Sequence, residues 1–410
     1  MNDRMPGPAL LRGLTQRRIS RRTMLQGMLG GASMAAVAAS LAGCSIQGSV
    51  SSQAQQKVDW NAFWAKQKPT KKLNFANWPL YIDQSHGKYP SLEAFTKKTG
   101  IAVNYQQVIQ NNAPFYAAVA PELRAHEDTG YDIVVMTNGW ELTEMIVNGF
   151  VMELDHSRLP NFAKYGAENV KNPPYDPKNK HSVVWQTGFT GLAYNEKLAP
   201  KPVTSFQDLL DPVFKGHIGM MNDNTELGSA GLLAIGVNPT TSTPSDWRKA
   251  AAWLKKQRPL VSGYYDQSYI DRLSNGDTWV SQAWSGDIFQ AIAGGNKHLK
   301  FVIPEEGQMI WHDNMMIPMQ AQNPLSALSW MNFYYTPEIA GMVEDWVNYV
   351  CPVPDAKDYI LHTLKDPDVA NSPLVFPDAA TDKKSHDFYV FKNYDEYEEW
   401  NKVFNPVIQS

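Results

Sequence analysis

The stretch DTWVSQAWSGDIFQA, residues Asp277 to Ala291, decides how the chain is read. Apolar residues at Trp279, Val280, Ala283 and Trp284 read as a strand, Ser285-Gly286-Asp287 as a tight turn, and Ile288 to Ala291 as the start of a helix. In an open α/β sheet, ligands sit beyond the carboxyl ends of the strands, and this turn is such an end. An indole face and a carboxylate delivered together suit an organic cation, held by the ring quadrupole and the opposite charge. A plainer reading makes Trp284 a core residue and Asp287 a helix cap.

The pattern recurs on both sides. Leu73 to Ala76 reads as a strand, Ser91 to Gly100 as a helix closed by glycine, and Ile101 to Tyr105 as a strand. Ile133 to Met136 is a buried strand, followed by a helix from Trp140 to Gly149. The turn after the first strand holds Trp78 and Tyr81; the turn after Met136 holds Thr137 and Asn138. Val183 to Asn195 is a strand broken by Gly188 and Gly191, which can carry the chain between lobes through a hinge. Phe206 to Phe214 reads as one helix, and His217 to Met221 as a strand leading to Asp223 and Glu226. Those two acids, three apart at a helix start, face one point. Tyr265 and Asp266 add an aromatic and an acid. Pro304 to Gly307 with Trp311 and Asp313 form the return crossover. Ser326 to Tyr335, Pro337 to Tyr349 and Tyr394 to Phe404 are helical. The alternation implies an α/β fold on mostly parallel sheets, and a body this long divides into two lobes.

The N-terminus is an address. Ser20-Arg21-Arg22-Thr23-Met24-Leu25 matches a twin-arginine pattern, and a small-residue apolar run from Met24 to Ala42 follows, ill suited to spanning a membrane. Leu41-Ala42-Gly43-Cys44 resembles a lipobox, in which Cys44 accepts the lipid. Residues 1–43 are thus expected to be a signal peptide and residues 44–72 a lipid-anchored tether, although Trp60, Phe63 and Trp64 could dock a short helix on the body. The leader carries six arginines and one aspartate, so its removal takes the formal net charge from −4 to −9. An acidic exterior argues against nucleic-acid binding and is compatible with a cationic ligand. With Cys44 acylated, the second of only two cysteines, Cys351, has no disulfide partner.

No helical His-Glu-x-x-His, cysteine cluster, phosphate-binding glycine loop or Gly-x-Ser-x-Gly elbow occurs, and the histidines are scattered; neither a metal nor a cofactor is expected. The ordered set Asn77-Trp78 with Tyr81, Tyr131 to Val135, Thr187-Gly188 to Asn195, Trp284-Ser285-Gly286-Asp287, Pro304 to Gly307 with Trp311 and Asp313, and Phe376-Pro377-Asp378 resembles the spermidine/putrescine-binding proteins of bacterial ABC transporters. The resemblance runs from Leu73 to the C-terminus.

It implies the two-lobed, hinged periplasmic-binding-protein fold of type II, with a cleft between residues 73–187 plus 312–410 and residues 188–311. It also implies a monomeric receptor, not an enzyme, that serves a permease; the lipobox cysteine would anchor it to the outer face of the cytoplasmic membrane. Trp78, Tyr81 and Trp284 would wall the ligand, Thr137 or Asn138 would offer polar contacts, and Asp223, Glu226 and Asp287 would pair with ammonium groups; Tyr265, Asp266, Trp311 and Asp313 are further candidate ligand-binding residues. Pro79 and Leu80 stand where this family carries a hydroxyl residue and an acid, so one expected acidic contact is missing. Three other readings stay open: a receptor for a sugar or amino-acid derivative, a hydrolase using Asp223 and Glu226, and an adhesion scaffold with aromatic loops as its interface.

Overall fold

A computed structural model describes residues 58–409. The signal segment and Cys44 lie outside these residues. Inside the span expected to be a tether, Trp60–Lys66 form helix α1, capped by the Asp59 carboxylate on Ala62 N at 3.0 Å. Trp64 is buried and its Nε1 donates to the Glu153 carbonyl at 2.9 Å, so the aromatic helix is docked on the body.

Two parallel layers share one sheet. The first contains β1 (Lys72–Asn77), β2 (Ala102–Gln107) and β3 (Ile133–Thr137), with helices α2 (Pro90–Thr99), α3 (Asn112–Ala125) and α4 (Trp140–Val147). Strand β4 (Ser182–Asn195) carries the chain onward to β5 (Ile218–Met221), α5 (Asn224–Ala234), α6 (Pro244–Gln257), β6 (Val261–Tyr265), α7 (Tyr269–Asn275), β7 (Val280–Trp284), α8 (Ser285–Ala293) and β8 (Leu299–Val302). In this second layer β5 pairs in parallel with β6 and β7. Strand β9 (Gln308–Met316) returns the chain to α9 (Pro324–Tyr334) and α10 (Pro337–Val347). The strand order is β2-β1-β3-β9-β4-β7-β5-β6, with β8 beside β4. Among the described strands, the antiparallel pair β4 and β9 links the two layers: β9 pairs with β3 through residues 313–316, and β4 pairs with β7 through residues 190–194.

Local chemistry sets these elements. Ile133 to Met136 are all buried, as strands covered on both faces must be. Gly100 ends α2 in the left-handed region at φ 71°, where a side chain would be strained. Helix α6 begins with Pro244 inside a Thr243–Asp246 capping box.

The expected helix over 206–214 is instead two short 3₁₀ turns, Phe206–Leu210 and Pro212–Phe214. Pro212 disfavours helical backbone at the preceding residue, and Asp211 is extended. No separate turn precedes α8, which starts at Ser285 directly after the strand. The two strand glycines supply clearance: a Cβ on Gly188 would lie 2.2 Å from the Trp311 ring, and one on Gly191 2.6 Å from the Val302 carbonyl.

The largest correction concerns the C-terminus. Residues 312–410 do not all join the first layer. Strand β10 (Ser385–Asp387) pairs with β9 at residues 308–310, and helix α11 (Tyr394–Gln409) packs on α5 and α6. Trp400 is fully buried there and donates from Nε1 to the Asn224 carbonyl at 3.0 Å. A Cβ on Gly228 of α5 would lie 2.4 Å from that indole, so the glycine admits it. Amphipathic periodicity identifies such a helix but not the surface that receives it.

Candidate ligand-binding site

From the first layer, the chain leaving β1 turns through Leu80, a non-glycine residue at φ 54°, and delivers Tyr81. The Tyr81 hydroxyl donates to Asp313 Oδ2 at 2.6 Å, and Thr137 Oγ1 donates to Asp313 Oδ1 at 2.6 Å. Thr137 lies directly opposite Asp313 in the β3–β9 register. Each oxygen of this buried carboxylate thus meets a hydroxyl. Asn138 instead ties its loop to β9, since its Oδ1 accepts from His312 N at 2.7 Å and its own N donates to the His312 carbonyl at 2.8 Å. Trp78 is half-buried, with Nε1 donating to the Val135 carbonyl at 3.1 Å.

From the second layer, Asp223 caps α5, its Oδ1 accepting from Thr225 N at 2.8 Å and Glu226 N at 2.9 Å. Glu226, only 6% exposed, accepts at Oε1 from Thr190 Oγ1 at 2.8 Å and Trp284 Nε1 at 2.9 Å. Its Oε2 is buried and has no hydrogen-bond partner among the described residues. Trp311 Nε1 donates to the same Thr190 hydroxyl at 3.1 Å.

The rings form a continuous row. Trp284 lies 6.5 Å from Trp311, Trp311 lies 5.4 Å from Tyr349, and Tyr349 lies 5.8 Å from Tyr81. Glu226 bonds the first ring of this row and Asp313 the last.

Asp287 is buried against one ring of the row. It accepts from Tyr269 at 2.9 Å and Tyr349 at 2.8 Å, and so fixes Tyr349. Gly286 makes room, since a Cβ there would meet the Tyr349 ring at 2.7 Å. Tyr265 carries Arg272 over its ring at 4.3 Å, and Asp266 is exposed. Tyr349 and Thr190 complete the arrangement without having been expected. Thr190 lies between the two strand glycines that suggested a hinge, and Tyr349 follows α10 in a run with no distinctive pattern.

The electrostatics are those of acids enclosed together. Burial, reinforced by the neighbouring Asp223 charge, pushes Glu226 up to about 8, against the lowering effect of the Trp284 and Thr190 bonds. Asp223 is reached by solvent yet crowded by protein, and that enclosure raises its carboxyl, with Asp266 adding to the effect. Glu141 on α4 is pushed up to about 6 by burial and by Asp223 opposite it. A buried carboxyl without a cation holds its proton, and a cation supplied to it would release that proton.

With this geometry in view, residues 91–377 match the family of bacterial extracellular solute-binding proteins. The chain is 31% identical over 312 residues to the spermidine/putrescine-binding periplasmic protein of Escherichia coli strain K12, covering 76% of this chain and 84% of that protein. It is 30% identical over 339 residues to a putrescine-binding periplasmic protein of Pseudomonas aeruginosa, covering 78% and 87%. The crystal structure of a spermidine/putrescine ABC transporter substrate-binding protein from Streptococcus pneumoniae superposes with a TM-score of 0.72 at 24% identity, covering 83% of this chain and 99% of that one. That likeness establishes the two-lobed fold.

The folded pKa of Glu226, about 8, lies above the ordinary value of 4.5, so the folded state holds the proton more tightly than the unfolded chain does. That contribution to stability is fully present below the ordinary value and is lost as pH rises through about 8. Thermal unfolding without added ligand is expected to show stability falling across this window, by about 5 kcal/mol at most. Glu226→Gln should flatten the profile; an identical slope in the variant would contradict the assignment.

Proposed function

The chain belongs to the family of bacterial extracellular solute-binding proteins, and from that premise we propose that it captures a linear polyamine of the putrescine or spermidine type and delivers it to an ABC-transporter permease. One observation carries the reading: a row of four aromatic rings with a carboxylate bonded at each end. The names of the relatives, which bind spermidine and putrescine, agree with it.

Methylene groups lie well on ring faces, and ammonium groups add a cation–π attraction. Aliphatic diamines stay doubly charged at neutral pH, so each buried end needs an opposite charge. In this reading Glu226 Oε2 takes one ammonium and Asp313 the other. Trp284, Trp311, Tyr349 and Tyr81 wall the chain between them, and Trp78 flanks it from the first lobe. Thr137 orients Asp313, while Asp287 holds Tyr349 in place. Asp223, with Asp266 beyond it, draws cations toward the mouth. The lobes close about β4 and β9, and the permease receives the closed form.

Calorimetric titration with putrescine and spermidine tests the roles. Removing one member of a desolvated charge pair costs about 2–5 kcal/mol, so Glu226→Gln and Asp313→Asn should each weaken binding roughly 30-fold or more. Asp287→Asn, acting through Tyr349, should cost about tenfold or less, because it weakens the two tyrosine bonds that brace the row while leaving the carboxylates assigned to the ligand in place. Folded charge variants that bind as well as the parent would overturn the site.

We also propose that the protein is exported and held at the outer face of the cytoplasmic membrane by lipid on Cys44. The support is Leu41-Ala42-Gly43-Cys44 behind Arg21 and Arg22. Cys44→Ser should move the protein from the membrane fraction to the soluble one; unchanged membrane association would refute the anchor.

A further inference from the structure

The lobes meet at a second place, outside the crossing strands. Trp140, the first residue of α4 on the first lobe, stacks on Tyr397 of α11 with centroids 5.3 Å apart and planes 13° apart; Tyr394 lies 5.9 Å away. Val390, in the segment leading into α11, packs against the first-lobe cluster that includes Ala76, Val134 and Leu142. The remainder of α11 is anchored on the second lobe. Asn224 Nδ2 donates to Asn401 Oδ1 at 2.7 Å and Asn405 Oδ1 at 2.8 Å, and Trp400 Nε1 donates to the Asn224 carbonyl. Asn224 opens α5, directly after Asp223 and two residues before Glu226. One helix therefore holds the acid-bearing end of α5 and receives a ring from the opposite lobe.

We propose that α11 is a strap: the Trp140–Tyr397 stack holds the lobes shut and steadies the first turn of α5, so these two residues set how long a captured ligand stays. They are positioning residues, since they act through α5 and lobe closure. Opening the lobes about β4 and β9 has to part this stack or drag α11 from α5. Beside it, Glu141 on the first lobe faces Asp223 on the second. Their like charges oppose closure, and the stacked rings supply an attraction against that repulsion. The effect on ligand residence rests on the polyamine reading; the strap's hold on the lobes does not.

The test is a double-mutant cycle with Trp140→Leu, Tyr397→Leu and both together, substitutions that keep an apolar side chain while removing a ring. Putrescine and spermidine dissociation is followed by stopped flow. Separation of the lobes is followed by spin labels on cysteines introduced at exposed Lys97 of α2 and Lys256 of α6, with and without polyamine. An aromatic pair contributes enough that each single variant should dissociate about three- to tenfold faster, and the double variant no faster than either. Tyr397→Phe, which keeps the ring, should behave as the parent. The labels should report a larger open population in the leucine variants.

Additive rate effects, or an unchanged label distance in folded leucine variants, would overturn the strap. Should the parent fail to bind either polyamine, the ligand reading falls, and the label distances without ligand still decide the strap. A wider distribution in the leucine variants supports it, and an unchanged one refutes it.

Discussion

The antiparallel pairing of β4 with β9 is the constraint on which the remaining structure depends. It sets Gly188 opposite Trp311, so the indole lies over a residue with no Cβ while its N–H reaches Thr190 two positions along the same face. Thr190 in turn donates to Glu226, and Asp313, two residues beyond Trp311, meets Tyr81 and Thr137. A slip of one residue would turn Trp311 and Asp313 away from the face that carries Gly188 and Thr190. The same two strands pair with both groups of strands, so the pairing that builds the site also ties the two halves of the sheet together.

Within that frame the chemistry is an unfinished electrostatic arrangement. Asp313 has a hydroxyl on each oxygen, whereas Glu226 has two donors on one oxygen and none on the other among the described residues. Leaving a buried acceptor unmet is costly, and proteins tolerate it where something is meant to arrive. Burial and Asp223 together make a proton the stopgap. An ammonium group is the better occupant, because it brings both the missing donors and the missing charge. Asp287 differs from Asp313 in its partners: its hydroxyl donors, Tyr269 and Tyr349, make it a support for a ring of the row.

Much of this was legible in the sequence where the cause is local. Strand-turn-helix punctuation located the carboxyl ends of β1, β3 and β7, and the Asp223–Glu226 spacing located the start of α5. The resemblance added the ligand class and the pairing of Trp311 with Asp313 at the crossover. What stayed hidden depends on distant partners. Nothing near Asp287 announces that Tyr349, 62 residues away, donates to it. Nothing near Trp400 announces that Gly228 leaves space for it on the second lobe. The glycines of β4 illustrate the ambiguity well: as letters they signal flexibility, and in the fold they are clearance for Trp311 and the Val302 carbonyl. Pro212, by contrast, was a local signal that interrupts the expected helix.

The central claim is that the aromatic row accepts a dication with one charge at Glu226 and the other at Asp313. Side-by-side calorimetry with putrescine and with butylamine, which has the same carbon chain and a single ammonium, tests it most directly. The account predicts that the diamine binds roughly 30-fold tighter or more, since the monoamine leaves one buried carboxylate without its partner. Equal affinities for the two amines would contradict it.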